Sequence, residues 1–518
     1  MSARKTKASW LQRFAMARQG SVATLVAVAM VPVVIAAGVG LDVSRAMSSR
    51  NNLQDALDAT ALALAHLPAG TAQTTLNSKA TSWLNANLND KGLGTITLTV
   101  TPTVGQLDLV ATSTVKTTLT SITGYQTMPV QAKSTVKWGL GHVEIALVLD
   151  NTGSMAGAKL ATLKTAANDL VDTLAASVDS SDATALKIAV VPFSMTVNVG
   201  STYQTATWML NNLPTAYGSD IFATAQTNRF TMLSQMGVSW GGCVEARPQP
   251  YDVQDTAPVS TNKATMIVPF FAPDEPDDDT IVSGSNWHGT TYYDFPNNYV
   301  PDETSSSNWQ TRQGYLSKYD QTPSGGTTSS GYIKGPNAGC SLTPLQRLTT
   351  STTTVKSKIN AMSAVGDTNI AMGLAWGWFA LSPSAPFSDG VAYSDANTKK
   401  ILVLLTDGDN TMGDQSNPND SIYNGEGYLW QGRLGITSGA ASTRGDKIDE
   451  RMALICTNMK AKGVVVYTVR IDLSGTAPPA LSGCASGTDK FYDVPDVADL
   501  SDAFANIAGS IGKLRLSN

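Results

Sequence analysis

The sequence has little charge and few of the side chains that handle protons or metals. Of 518 residues, 15% are Asp, Glu, Lys or Arg, and there are only three His and four Cys. This composition, with a net charge of −5, excludes a basic nucleic-acid-binding protein and a charge-rich disordered chain. HExxH and GxxxxGK[ST] motifs are both missing. We therefore expect a binding protein rather than an enzyme.

The positive charge that the chain does have is concentrated at its N-terminus. Residues 1–20 carry +5, and because the whole chain carries −5, residues 21–518 carry −10. Residues 22–41 then contain no ionisable side chain. At about 1.5 Å per residue, a helix of this length spans the hydrocarbon core of a bilayer.

This apolar run predicts a single-pass anchor in the inner (cytoplasmic) membrane. Basic flanks stay on the cytoplasmic side, so we expect a cytoplasmic tail at 1–20, a transmembrane helix at 21–41 and an exported body that is periplasmic or extracellular. The alternative is a cleaved secretory signal, with Ala36-Ala37-Gly38 offering small residues for cleavage. The bulk of the chain is exported in both interpretations.

Residues 42–140 have the pattern of a small α+β stalk module. Apolar residues recur at mostly helical spacing from Val43 to Leu64, which extends the transmembrane helix outward towards Leu67. Residues 94–138 alternate and are rich in Thr and Val, as is typical of short strands. We expect one long helix followed by a small sheet.

Residues 141–518 alternate between strand and helix patterns. The apolar run VEIALVLD is typical of a parallel strand that is buried on both faces, and KKILVLLTD and VVVYTVRI are similar. Helical patterns separate them, and another helix ends the chain. The predicted class is α/β, with a doubly wound, mostly parallel sheet of the Rossmann-like kind.

A polar stretch at about 200–341 interrupts this domain and is too long for an ordinary loop. It contains Trp240, Trp287, Tyr292, Tyr293 and Trp309, so we expect an insertion with some structure of its own, whose aromatic side chains fill a small core. Its acidic residues at 274–275 and 277–279 offer Ca²⁺ ligands. An acidic surface loop is the interpretation we prefer, because the EF-hand spacing is missing.

The four cysteines fit an oxidising compartment, where disulfides persist. They allow three connectivities. The pairs Cys243–Cys340 and Cys456–Cys484 each close one local region of the chain and are preferred. A zinc site is the competing interpretation, but no CxxC and no nearby His supports it.

Hydroxyl and carboxylate side chains follow the strand patterns of the α/β domain. Asp150, Thr152 and Ser154 end one strand, Asp407 ends another, and Thr368 precedes an apolar helix. Loops at the carboxyl ends of strands gather at one crevice, so these oxygen donors can converge on a divalent cation, of which Mg²⁺ fits best. Two carboxylates leave an open coordination position for an acidic group of a partner. The competing interpretation is that these residues only form turns.

This combination resembles von Willebrand factor A (VWA) domains. Asp150, Thr152, Ser154, Thr368 and Asp407 match the metal-ion-dependent adhesion site (MIDAS) of that family. Thr152 stands where the commoner motif has Ser and keeps the hydroxyl. The resemblance implies Mg²⁺, with Mn²⁺ or Ca²⁺ as alternatives, and covers about His142–Ile471 plus the last helix.

A second resemblance lies at the N-terminus. Gly20-Ser21-Val22-Ala23, Gly40-Leu41-Asp42 and the pattern from Leu53 to Ala59 look like TadG-like proteins of the Tad/Flp pilus assembly system. The resemblance implies a role in pilus assembly or secretion, with that machinery as the protein partner. A surface or released adhesin that binds host or matrix ligands is the alternative function. Prepilin-like cleavage after Gly20 is disfavoured, because Leu25 stands where prepilins have Glu.

Overall fold

The computed structural model divides the chain into two compact units. The first is Met1–Gly139 with Leu516–Asn518, and the second is Leu140–Arg515. The structure describes residues 21–514 except 66, 68–70, 89–91, 104–105, 138–141, 179–181, 213–220, 223–227, 278–293, 303–305, 307, 329–330 and 472–477.

The first unit contains two described helices and one three-stranded antiparallel sheet, in the strand order β1-β2-β3. Their bounds are α1 Ser21–Ala65, α2 Gln73–Asn87, β1 Thr97–Thr103, β2 Gln106–Lys116 and β3 Thr127–Lys137. The predicted long helix ends at Ala65, two residues before Leu67, and α2 is a helix that the apolar pattern did not indicate.

Helix α1 changes its environment along its length. Its N-terminal part is exposed and apolar, and among the described residues it is the one helix long and apolar enough to cross a membrane. Further on, Leu53, Leu57, Ala61 and Leu64 are buried at helical spacing against the small sheet. Strand β2 alternates buried and less buried residues, because one face of the sheet packs on the helices.

The second unit is built around one sheet. Its described strands are β4 His142–Asp150, β5 Leu186–Phe193, β6 Val197–Asn198, β7 Cys243–Glu245, β8 Val268–Pro269, β9 Gln346–Thr349, β10 Thr398–Thr406, β11 Val465–Ile471 and β12 Phe491–Val494. Its described helices are α3 Ala158–Ser177, α4 Arg229–Gln235, α5 Trp309–Gln313, α6 Thr352–Ala361, α7 Ile370–Leu381, α8 Ala441–Ala461, α9 Pro479–Cys484 and α10 Leu500–Leu514.

The sheet is mixed, which corrects the expectation of a mostly parallel one. Strands β12, β11, β10, β4 and β5 run parallel in that order. Beyond them β6, β7 and β8 continue antiparallel, and β9 pairs antiparallel with β5. The antiparallel strands are two to four residues long. Runs this short carry no readable alternation, so the sequence did not reveal them.

Strand β4 explains why its sequence is an unbroken apolar run. Ile145, Leu147 and Leu149 pack into one core with α3, α6 and α10, and Ala146 and Val148 pack into another with α7, α8 and α9. Both faces of the strand are therefore covered. The α/β class is confirmed.

Helix α7 lies unusually close to the sheet. A Cβ on Gly377 would be 2.4 Å from Val148 Cγ2 and 2.9 Å from Leu402 Cδ1, so only glycine fits there. Asn369 caps the helix by accepting a hydrogen bond from the Met372 N–H at 3.0 Å. This close packing holds in place the loop that contains Thr368, which directly precedes the helix.

The insertion extends the main sheet through β7 and β8, which continue from β6, instead of forming a separate layer. Its aromatic side chains fill core space as expected where they are described. Trp240 is buried, and Trp309 packs edge-to-face on Trp430. Trp287, Tyr292 and Tyr293 lie outside the described residues.

Candidate functional site

The carboxylate of Asp150 links the ends of two neighbouring parallel strands. It is fully buried, its Oδ1 accepts from the Thr152 N–H at 2.9 Å, and its Oδ2 accepts from Thr406 Oγ1 at 2.6 Å. Burial raises the pKa of Asp150 to about 6, the negative charge of Asp407 adds to this, and the hydrogen bonds oppose it. A nearby cation would favour the ionised form.

A chain of hydroxyl groups connects this strand end to Asp407. The hydroxyls of Thr152 and Ser154 lie 3.0 Å apart, and Ser154 Oγ donates to Asp407 Oδ1 at 2.7 Å. The other oxygen, Asp407 Oδ2, accepts from the ammonium of Lys159 at 2.8 Å. Four of the five predicted ligands therefore form one connected cluster.

The backbone of Thr368, the fifth predicted ligand, bonds to Thr411 in the loop after β10. Its N–H donates to Thr411 Oγ1 at 2.9 Å, and its carbonyl accepts from the Thr411 N–H at 2.8 Å. In the same loop, the backbone carbonyl of Gly366 accepts a hydrogen bond from the Gly153 N–H at 2.9 Å. The loop before α7 is thus tied both to the loop after β4 and to the loop after β10. Thr368 itself is buried.

The residues present fit a hard divalent cation. Asp150 and Asp407 are buried carboxylates whose charges disfavour each other, and hydroxyl oxygens lie between them. Such oxygen donors suit Mg²⁺, which commonly binds one or two carboxylates and keeps several waters. No group of three or more His, Cys, Asp or Glu is arranged for a metal within the described part of the chain. The candidate site thus depends on hydroxyl oxygens as well as carboxylates.

Two residues that bond to this cluster were not predicted from the sequence. Thr406, the last residue of β10, bonds to Asp150, and Lys159, in the first turn of α3, pairs with Asp407. Lys159 is five residues after Ser154, close enough to fold back over the strand end. That spacing is the one sequence feature that could have indicated it.

The two disulfide bonds join cysteines that are separated in sequence from these side chains. Cys243 is bonded to Cys340, and Cys456 is bonded to Cys484. These are the pairs preferred from the sequence. The first ties β7 to the end of the insertion, and the second ties α8 to α9.

The acidic residues Asp274 and Glu275 do not form a surface loop, which corrects the expectation for them. Both are buried. Asp274 pairs with Lys318 at 2.7 Å, and Glu275 accepts from the Asn297 N–H at 2.8 Å and from the Tyr428 hydroxyl at 3.0 Å. Burial raises the pKa of Asp274 to about 6 and that of Glu275 to about 7. Asp278 and Asp279 lie outside the described residues.

Comparison with protein families identifies the N-terminal segment. Residues 20–66 match the family model described as putative Flp pilus-assembly TadE/G-like. The predicted Tad resemblance is confirmed. The matched segment contains all of α1, including its exposed apolar part. Among curated proteins, none matches the chain.

Solved structures similar to this chain include two pilus proteins and a thread matrix protein. The vWF domain of the type V pili tip protein Mfa5 from Porphyromonas gingivalis matches with 12% identity and a TM-score of 0.33, over 72% of this chain and 96% of that chain. The pilus adhesin RrgA from Streptococcus pneumoniae matches with 11% identity and a TM-score of 0.33, over 81% and 49%. Proximal thread matrix protein 1 from the mussel byssus matches with 11% identity and a TM-score of 0.29, over 72% and 47%. The chain spans less than half the length of the last two.

Proposed function

We propose that this chain is a membrane-anchored, exported interaction protein that assists Tad/Flp pilus assembly or secretion, with a binding rather than a catalytic role. The family match of residues 20–66 supports the pilus context. The exposed apolar part of α1 and the basic residues before it support a single-pass anchor with a cytoplasmic N-terminus in the inner membrane. Two disulfides agree with an oxidising compartment.

The organisation we propose assigns each part of the chain a role. Residues 1–20 are the cytoplasmic tail, 21–41 the transmembrane helix, 42–140 the stalk module and 141–518 the VWA-like domain with its insertion at about 200–341. The anchor and stalk hold the α/β domain on the exported side of the membrane. The domain then meets partners outside the cytoplasm.

The interaction site we propose is the cluster at the ends of β4 and β10. The hydrogen-bonded chain from Asp150 through Thr152 and Ser154 to Asp407 is the observation that carries this proposal. These residues, with Thr368, would hold Mg²⁺ or a similar divalent cation. The bound cation supplies a Lewis-acidic position for a carboxylate of the partner protein. The chain's own part is to orient the oxygen donors and to bury them from water.

A calorimetric titration tests the metal site. We expect Mg²⁺ to bind the purified protein and the Asp407→Asn variant to lose that binding, because the variant removes one of two carboxylates. Asp409→Asn is the matched control, since Asp409 is two residues away in the same loop and exposed. Equal titrations of all three proteins would refute the site.

Crosslinking in intact membranes tests the partner. We expect the wild-type chain to capture components of the pilus machinery and the Asp150→Asn variant to lose some of them. Capture of external ligands alone would favour the adhesin function instead. The same comparison with Asp409→Asn shows whether a loss follows from the site or from any change of charge.

A further inference from the structure

The loop that joins β2 to β3 exposes large apolar side chains. Residues 117–126 contain no Asp, Glu, Lys, Arg or His. Within them Leu119 is 38% exposed, Ile122 76% and Tyr125 70%. Most other large apolar side chains after Asp42 in the described part of the first unit pack against α1, α2 or the sheet, although Met47 and Leu62 are also exposed. The loop differs in grouping three such side chains within seven residues.

Asp42 fastens the loop to helix α1. Its carboxylate accepts from the N–H groups of Thr118, Leu119 and Thr120 at 2.8–3.1 Å, and from Thr120 Oγ1 at 2.9 Å. Asp42 is buried by these contacts. Because it is the first residue after the uncharged run at 22–41, the loop is held at that end of the run.

Leu119 reaches further along the helix, into the uncharged run itself. It packs on Gly38, where an added Cβ would lie 2.6 Å from Leu119 Cβ. Gly38 precedes Asp42 by one helical turn, about 6 Å along the axis. Any bilayer that encloses residues 22–41 therefore meets the loop at the level of its outer boundary.

We propose that residues 117–126 form a membrane-interface loop, which inserts into the exported face of the bilayer beside α1. Leu119 and Ile122 would lie at the acyl boundary and Tyr125 among the headgroups, where its ring and hydroxyl suit both environments. Besides Asp42, whose carboxylate accepts hydrogen bonds from the loop, two cationic side chains lie next to it. Arg45 donates to Thr118 Oγ1 at 2.8 Å, and Lys116 ends β2. Both suit lipid phosphates.

The loop thus gives the first unit a second attachment to the membrane and fixes the rotation of α1 about its axis. Interfacial anchors of this kind determine helix tilt and rotation. This inference rests on the proposed membrane anchor. The test must therefore report on the anchor and the loop separately.

Site-directed fluorescence in lipid vesicles provides that test. The full-length protein is reconstituted with one new cysteine, Ile122→Cys, labelled with the fluorophore NBD. No described cysteine is free, so the native ones do not compete for the label. Met30→Cys reports on the anchor. Thr103→Cys is the aqueous control, because it pairs with Gln106 at the opposite end of β2, about 33 Å from Lys116.

We expect the label at 122 to be quenched by shallow spin-labelled lipids and to have an iodide quenching constant several times smaller than the label at 103. Quenching of the label at 30 by deep spin-labelled lipids shows that α1 spans the bilayer. If that holds while the label at 122 responds to iodide, or to neither quencher, the loop proposal is wrong and the anchor stands. If the label at 30 is also accessible to iodide, the anchor itself fails.

A charge variant provides a second measurement. Ile122→Asp places a carboxylate where we expect lipid, so a label on Tyr125→Cys should then become several times more accessible to iodide. Ser121→Asp is the matched control, because Ser121 is the neighbouring, half-buried residue and its side chain bonds back to the Thr118 carbonyl. No change with Ile122→Asp would overturn the proposal.

Discussion

Replacing Lys159 by Met should weaken the metal-free protein and strengthen its binding of Mg²⁺. The ammonium of Lys159 lies 2.8 Å from Asp407 Oδ2, with side-chain exposures of 24% for the lysine and 0% for the aspartate. Lys159 therefore places a positive charge on one of the two carboxylates that are candidate metal ligands. We expect a divalent cation bound at Asp407 to displace Lys159, because the two positive charges repel each other.

The size of the effect follows from burial. Removing one partner of a fully buried ion pair costs about 3–5 kcal/mol. Because water reaches part of Lys159, we expect about 2 kcal/mol here. For a unit the size of Leu140–Arg515 this lowers Tm by about 2–3 °C. In the wild type, metal binding has to break this ion pair. The Lys159→Met variant has no ion pair to break, so its Mg²⁺ affinity should be higher by about 30-fold.

Thermal denaturation with and without Mg²⁺, together with calorimetry, measures both effects. At saturating Mg²⁺ the wild type and Lys159→Met should unfold at the same temperature, because neither then has the ion pair. Lys164→Met is the control, since Lys164 lies on the same helix and donates only to the Asn360 carbonyl. Unchanged stability and unchanged affinity in Lys159→Met would refute the reasoning.

Three further predictions concern stability. Folding raises the pKa of Glu275 from 4.5 to about 7, so the folded state binds more protons across that interval and this residue should lower stability by about 3 kcal/mol as pH rises through it. Glu275→Gln should remove this contribution from the slope in pH-dependent denaturation, while those of Asp150 and Asp274 remain. Replacing Cys243 and Cys340 by Ser opens a loop with a sequence separation of 97 and should cost about 4–5 kcal/mol in urea denaturation. Gly377→Ala should cost about 1–3 kcal/mol, because its Cβ would meet Val148.

Each of these three predictions has its own control or contradicting outcome. A Glu275→Gln protein with the wild-type pH slope would show that another group titrates. The cysteine variant is compared with the wild type under reducing conditions, where the two should unfold alike. Gly509→Ala is the control for the glycine, because the space around Gly509 is open on helix α10; it should stabilise the protein by up to about 1 kcal/mol. A stabilising Gly377→Ala would contradict the tight packing of α7.

Much of the fold could be predicted from local sequence patterns. The continuous apolar run of β4 indicated a strand covered on both faces, and the uncharged run at 22–41 indicated an exposed apolar helix. The two-residue strands β6 and β8 left no such pattern. Consequently the antiparallel part of the sheet was not predicted, and the expectation of a mostly parallel sheet was wrong.

The candidate site divides in the same way. The sequence by itself determined which oxygen donors follow the strands, because Asp150, Thr152 and Ser154 are close neighbours in the chain. Only the tertiary structure placed Lys159 on Asp407 and Thr406 on Asp150, since each pair is separated by about 250 residues. Burial of Glu275 was decided in the same way, by Asn297 and Tyr428. Periodicity and turn chemistry act between near neighbours, whereas burial and charge pairing depend on segments that only folding brings together.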